Sequence, residues 1–418
     1  MPENASPFKV VHVVRRFAFE EWGGTETVVW NSARHLRDCG VASEILATRA
    51  CSGVRDEVRD GIPIRRFDCF YPYWPLGAER VRALDKKGGN PISTGLFRAL
   101  RECPCDLFHI HTAGRLAQQA ILTAHRRNLP AVISFHGGHA DVPEAELREM
   151  LRPIRHTLRY GALLDILARR RFDVAERADA LICVGANEEE LLRRRYPGKK
   201  ILYLPNGIDP ERFSRRVDLD FREKYAIPRD RLLSCCIARI DYQKNQLALL
   251  RAVALLRDRG VDAGAVLIGP VSAEWYADEM RREIAKLSLS DRVTWLPGVG
   301  ADDDLLPAAL QAADVFVLPS LHEPFGIAVL EAWSAGTPVV ASRVGGLKHL
   351  VRENENGRFC DPGDPASVAA AIEACRNAPE GTRRMAENAR REAVNEYSWA
   401  RVTERLAAFY REVVDGRR

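Results

Sequence analysis

The sequence predicts two consecutive α/β domains, each a doubly wound, mostly parallel sheet. Three observations predict this. The chain has 418 residues, more than one hydrophobic core usually organises. Short β-branched runs alternate with longer amphipathic stretches, the rhythm of a parallel sheet with helices on both faces. That rhythm breaks once, at the turn Asn206-Gly207-Ile208-Asp209-Pro210, before a second cycle begins.

In the first cycle, strands are expected at Val10–Arg15, Ser43–Thr48, Asp106–Thr112, Ala131–Phe135, Ala180–Val184 and Ile201–Leu204. Helices are expected from the Gly23-Gly24 turn to about Arg37 and near Arg115–Arg126. A charged, irregular stretch runs to about Arg231. The second cycle places strands at Leu232–Ala238, Ala265–Ile268, Val293–Leu296, Val315–Leu318 and Val339–Ala341. Trp399–Val414 reads as an amphipathic helix. Doubly wound sheets bind ligands beyond the carboxyl ends of their strands, so two such domains facing each other form a cleft, and functional motifs belong just after strands.

Hydrophobic residues make up 46% and charged residues 28%, an ordinary soluble balance. No run approaches a membrane-spanning length, and the polar Met1–Pro7 carries no secretory pattern. The ten cysteines show no C-x-x-C pair and read as small buried thiols in a reducing cytoplasm. The net charge of +5 is mild and argues against a nucleic-acid partner. Arginines concentrate between Arg148 and Arg195. Within segment 144–172, Leu147, Leu151, Ile154, Leu158 and Leu163 recur among them at roughly helical spacing. This segment reads either as a packed helix with a solvated basic face or as a peripheral contact with an anionic membrane.

The run P-S-L-H-E-P-F-G-I-A-V-L-E-A-W-S-A-G-T-P-V-V-A-S, from Pro319 to Ser342, leaves a strand, starts a helix and enters another strand. Pro324 suits a first helical position. Phe325, Gly326 and Ile327 then offer backbone N–H groups to an anion at the helix N-terminus. Glu323 and Glu331 are eight residues apart. On one helix that separation is about 12 Å along the axis, too far for a glycosidase-type acid–base pair and suited to gripping two ends of one long ligand. Arg239 and Lys244 follow the first strand of the second cycle.

This E-x7-E element, with P-F-G after its first Glu, closely resembles the signature of family 4 retaining glycosyltransferases. The resemblance implies the GT-B architecture, with a C-terminal helix crossing back onto the first domain. It divides the chain into an acceptor-binding domain over 1–210, a nucleotide-sugar domain over 211–396 and a crossing helix over 397–418. It further implies that Glu331 binds the ribose hydroxyls, Glu323 contacts the donor sugar, and Arg239 and Lys244 clamp the diphosphate. Ile237–Asn245 resembles the family's G-R-L-x-x-x-K-G element, with Ala238 and Asn245 where glycines are usual. Gly23-Gly24 resembles its glycine-rich loop near the phosphates and acceptor. Ser134-Phe135-His136-Gly137 resembles its S/T-x-H-G/D segment, which sets His136 beside the reacting carbon. His111 also fits a strand-end pattern, and a packed structural role suits it equally. Gly298 and Val299 line the base pocket in this reading. Gly345-Gly346-Leu347 resembles a G-G-x-x-E loop, with Lys348 and His349 where Pro and Glu are common.

The implied activity is transfer of a hexosyl group from a nucleoside diphosphate sugar, UDP- or GDP-linked, to an acceptor hydroxyl with retained configuration. The acceptor is a glycan, a lipid-linked molecule or a small metabolite in bacterial biosynthesis. No cofactor and no metal are expected; Asp302-Asp303-Asp304 reads as a helix-capping run. The corresponding location is the cytoplasm, either free or peripheral at the inner face of the plasma membrane. Two rivals remain on the same sequence: a nucleotide-sugar epimerase or hydrolase, and a non-catalytic nucleotide-sugar-binding protein.

Overall fold

The computed structural model describes residues 8–21, 23–86, 88–136, 151–167, 172–300 and 303–417. The chain divides into two compact units. One runs to Pro205 and takes in Trp399–Arg418; the other is Asn206–Ser398. The turn at 206–210, expected in the first domain, therefore belongs to the second, where Ile208 N–H donates to the Tyr397 carbonyl at 2.7 Å. The returning segment starts at Trp399, two residues later than expected.

The first unit is built on eight strands: β1 (Phe8–Arg16), β2 (Val41–Thr48), β3 (Asp56–Arg59), β4 (Ile62–Phe67), β5 (Leu107–Ile110), β6 (Ala131–Phe135), β7 (Ala180–Cys183) and β8 (Lys200–Tyr203). Their order is β3-β4-β2-β1-β5-β6-β7-β8, and every pairing is parallel except β3 with β4. Alternation along β1 sends Val11 and Val13 to one face, where they pack with Phe108, Ile110, Leu116 and Ile121. Val10 points to the other face, which the C-terminal helix Trp399–Asp415 covers. Trp399, Val402, Leu406, Tyr410 and Val413 lie on that helix's buried side, three or four residues apart as a helix stripe requires. They meet Val10, Leu107, Val132, Ala180 and Ile182 of the sheet. Lys200 and Arg417 tie the helix end down by pairing with Glu412 and Asp179.

The second unit holds β9 (Leu232–Ile237), β10 (Ala263–Ile268), β11 (Val293–Leu296), β12 (Val315–Leu318), β13 (Val339–Ser342) and β14 (Arg358–Cys360). They form a fully parallel sheet in the order β11-β10-β9-β12-β13-β14. The stretch expected to be irregular up to Arg231 instead contains two short helices, Pro210–Ser214 and Phe221–Lys224. Asp209 and Asp220 cap them through backbone N–H groups, and Phe213 and Phe221 anchor them in the core. Charge on their outer faces hid this amphipathic pattern. The capping reading of the aspartate run holds at Asp303, which accepts from Leu305 N–H at 2.8 Å; Asp302 lies outside the described residues.

Candidate functional site

In the second sheet the strand order reverses between β9 and β12. That is the switch point, where the loops leaving adjacent strands diverge and open a crevice. The loop after β9 carries Arg239 and Lys244, and the loop after β12 carries Glu323. The two loops meet there: Lys244 Nζ lies 2.5 Å from Glu323 Oε2, with both side chains mostly buried. The Leu321 N–H also donates to the Gln243 carbonyl at 2.7 Å. Arg239 is about half exposed and only loosely paired with Asp241, at 3.8 Å, so its guanidinium is available to a ligand.

The unusual residues of this loop have local reasons. Asn245 adopts a left-handed backbone with φ of 53°, a conformation that Asn tolerates better than most side chains. Its amide donates to the Pro319 and Pro362 carbonyls at 3.2 and 2.8 Å, a lock that glycine lacks. Ala238 sits where its carbonyl abuts Gly269. A Cβ on Gly269 would stand 1.9 Å from that oxygen.

The expectation that a helix begins at Pro324 is not met. The helix is Ile327–Ala335, capped by Gly326 at φ of 105°. Glu323 is therefore on a loop, and the spacing of about 12 Å drawn from one continuous helix does not apply. The reason is tertiary. Gly345 and Gly346 pack their backbone against residues 323–325, and Gly346 N–H donates to the Glu323 carbonyl at 2.9 Å. A Cβ on Gly345 would come within 2.2 Å of the Glu323 oxygen, and one on Gly346 within 2.2 Å of the Pro324 oxygen. The glycine pair is thus a cradle that aims Glu323. Gly345 is itself left-handed, at φ of 47°. Gly345→Val is expected to displace Glu323 and lower kcat by about tenfold or more, with destabilisation of about 2 kcal/mol; steady-state kinetics and urea unfolding check both.

Phe325 turns its ring into the core against Tyr397, at 6.2 Å between centroids. Glu331 lies on the helix Ile327–Ala335. The residue is half-buried, and burial pushes its pKa up to about 7 against the pull of Arg212. Gly298 and Val299 follow β11. Gly298 packs on Pro270, beside a shallow cavity of about 320 Å3 lined by Gly269, Pro270, Val271, Arg281, Trp295 and Pro297.

Gly23, Gly24 and His136 belong to the first unit. Its strand order reverses between β1 and β5. Gly23 caps the helix Gly24–Leu36, and a Cβ there would meet Glu26 Oε2 at 2.9 Å. Glu26 accepts from Arg16 Nε at 2.7 Å. His136 follows β6, and Gly137 lies outside the described residues. Beneath it is a group of which the sequence reading singled out only His111. His12 of β1 stands in register with His109 of β5, so both point to one face, together with His111. His12, His109 and His111 are buried and grouped closely enough to suit a metal ion. A lone histidine in an apolar strand gives no signal of such a cluster; only the strand order brings the rings together. Burial holds His12 down to about 3, His136 to about 4, and His109 and His111 well below the usual imidazole range.

These imidazoles take up protons in the unfolded chain near pH 6.5 but not in the folded one. Their contribution to stability is full above pH 6.5 and is lost as pH falls toward 4 and below. Urea unfolding of wild type is expected to show a marked fall in midpoint between pH 7.5 and pH 5, and His12→Phe to flatten that fall.

Of segment 144–172, residues 144–150 and 168–171 lie outside the described residues. The remainder is a short turn at Arg152–Ile154 and a short helix at Gly161–Leu167, with Leu158, Leu163 and Ile166 exposed. Arg115 anchors this helix by pairing with Asp165 at 2.9 Å.

Two parallel-sheet units, the second with paired cationic and acidic loops at its switch point, define the class: a glycosyltransferase of the GT-B fold. Comparison with known proteins agrees. Residues 217–392 match the model for glycosyl transferases group 1, and residues 22–212 that for Glycosyltransferase Family 4. The D-inositol 3-phosphate glycosyltransferase of Geodermatophilus obscurus is 34% identical over 413 residues, covering 93% of this chain and 84% of that one. An uncharacterized glycosyltransferase of Methanocaldococcus jannaschii is 30% identical over 219 residues, which is 51% of this chain and 55% of that one. The crystal structure of Anabaena HepE in complex with UDP and glucose superimposes with a TM-score of 0.69 at 20% identity, covering 97% of this chain and 100% of that one. The chain belongs to glycosyltransferase family 4, and it is a glycosyltransferase.

Proposed function

We propose that the enzyme transfers a hexosyl group from a nucleoside diphosphate sugar, UDP- or GDP-linked, to an acceptor hydroxyl with retention of configuration. The observation that carries this reading is the meeting of Lys244 and Glu323 at the switch point of the second sheet, with Arg239 open beside them. A diphosphate needs cations there, because negative charge grows on it as the glycosidic bond breaks. Lys244 and Arg239 meet that charge, assisted by backbone N–H groups near Gly326, so no metal is required. Glu331 accepts from the ribose hydroxyls, Glu323 from hydroxyls of the donor sugar, and Gly298 and Val299 border the base. Gly23 and Gly24 pass close to the phosphates, and His136 meets the transferred sugar. The acceptor hydroxyl attacks from the face the phosphate leaves, and the departing phosphate takes its proton. Excluding water during this step favours transfer over hydrolysis.

The relative named for D-inositol 3-phosphate and the solved structure holding UDP and glucose make inositol 3-phosphate and UDP-glucose the first pair to try. Proton NMR of the product gives the anomeric configuration. An α-linked product from an α-linked donor, formed equally in excess chelator, is the expected result. A β-linked product sinks the retaining mechanism, and release of free sugar or an epimer whatever acceptor is supplied sinks transfer.

Exposed Arg152, Arg155 and Arg159 beside exposed Leu158, Leu163 and Ile166 support a peripheral contact with the anionic inner face of the plasma membrane. Failure to co-sediment with anionic liposomes at low salt removes it.

A further inference from the structure

Three imidazoles form a single hydrogen-bonded file through the first unit. His12 Nδ1 lies 3.0 Å from His111 Nε2, and His111 Nδ1 lies 3.0 Å from His136 Nε2. Successive rings are nearly parallel, 25° and 17° apart. The inner end closes on Ser43, 3.4 Å from His12 Nε2. The outer end is His136 Nδ1, which is buried and has no partner among the described residues. His109 stands outside the file: Ser134 and Tyr410 hold its two nitrogens at 2.6 Å each.

Each link joins Nδ1 of one ring to Nε2 of the next. A hydrogen bond needs one proton, and neutral imidazole has one to give. The three rings must therefore share one tautomer. Burial keeps all three neutral, and no carboxylate faces the file among the described contacts. The tautomer cannot be exchanged by passing a proton inward, because Ser43 would have to release one to a further acceptor. Two considerations select the Nε2–H form. It is the form that the neutral histidine side chain prefers in water, and it leaves only a lone pair unpartnered at the outer end, whereas the other form buries an unpartnered N–H, the rarer and costlier defect.

We infer that Ser43, His12 and His111 lock His136 in its Nε2–H form, so that its Nδ1 accepts a hydrogen bond from a hydroxyl of the transferred sugar. This rests on the proposed placement of His136 at that sugar. Ser43, His12 and His111 are positioning residues. His136 is a hydroxyl acceptor, not a general base, since taking a full proton would build a buried cation. The same lone pair repels a phosphate oxygen, which favours a neutral hydroxyl at this spot. A metal on His12, His109 and His111 is the competing use of the cluster. It would require His109 to give up one of its two short hydroxyl contacts.

The test is 15N NMR of the full-length enzyme labelled at histidine, with His12, His111 and His136 assigned by single substitution. All three are expected in the Nε2–H form, unchanged from pH 8 to pH 6. His111→Gln, whose amide offers one donor and one acceptor, should keep His136 in that form and keep most of kcat. His111→Phe should leave His136 in mixed tautomers and lower kcat roughly 10- to 100-fold, with UDP affinity unchanged. Different tautomers among the three rings, a shared Nδ1–H form, or a His111→Gln variant as impaired as His111→Phe overturns the lock. So does about one equivalent of zinc per chain that His12→Phe releases. If instead His136→Ala transfers sugar normally while UDP still binds, the placement of His136 at the sugar is what fails, and the lock loses its purpose with it.

Discussion

Lys244→Ala is expected to lower kcat by about 10²- to 10³-fold, the scale on which loss of one transition-state charge contact acts. Two effects combine. The diphosphate loses a cation where its charge accumulates, and Glu323 loses the partner that now sits 2.5 Å away. An unpaired carboxylate in so enclosed a place costs about 3 kcal/mol, so the variant should also unfold at lower urea. The two effects separate in the double variant Lys244→Met/Glu323→Gln. Removing both charges should restore most of the stability and none of the activity. In the resting protein Lys244 is engaged with Glu323; under the proposed function a diphosphate would draw the ammonium toward itself while sugar hydroxyls take its place on the carboxylate. Urea unfolding and single-turnover kinetics on the three proteins provide the check.

Glu331→Gln is expected to stabilise the free protein and weaken its hold on the nucleotide. Burial raises the Glu331 pKa from 4.5 to about 7. Between these values the folded state holds a proton on Glu331 that the unfolded state has released, so the contribution of this one residue to stability declines as pH rises from 4.5 to about 7 and stays lower above it, against the opposite trend of the buried histidines. Glutamine has no such proton to lose. At pH 8 the variant should be more stable by up to about 2 kcal/mol, allowing for solvent around the exposed part of the residue. At pH 4.5 the difference should vanish. Nucleotide binding runs the other way, because ribose hydroxyls donate best to an ionised carboxylate. UDP affinity of wild type should rise with pH through 7. Glutamine should weaken it by about 10- to 100-fold, the worth of a hydrogen bond to a charged group. Calorimetric titration at pH 6 and pH 8 measures both trends. A residue that stabilises by its removal and binds by its presence is what a ligand site embedded in a folded core demands.

Much of the fold could be read from local patterns. Ala265–Ile268 and Val315–Leu318 lie in buried parallel strands, whose continuous apolar runs stand out between polar turns. The hairpin of β3 and β4 was missed although Asp60-Gly61 carries the strongest two-residue turn signal, with both residues at positive φ. The exposed, charged β3 lacks the alternation that reveals a strand. The site divides the same way. Lys244 and Glu323, singled out by the family resemblance and by their positions after strands, do meet across two loops. The true start of the helix at Ile327 is not legible locally, because backbone contacts from Gly345 and Gly346 hold Pro324 off the helix. Nor is the histidine file: His12 and His111 are 99 residues apart, and only the reversal between β1 and β5 makes them neighbours.

The second unit is expected to bind a nucleoside diphosphate through Glu331 and Arg239. Thermal unfolding with UDP, GDP, ADP, dTDP and CDP, on wild type and on Glu331→Ala and Arg239→Ala, tests it most directly. A diphosphate at 100 times its Kd should add about 2.7 kcal/mol, so one of the five should raise the Tm of wild type by several degrees and leave both variants unmoved. If no nucleotide shifts wild type, or if the variants shift as far as wild type does, the donor site is not where these residues place it.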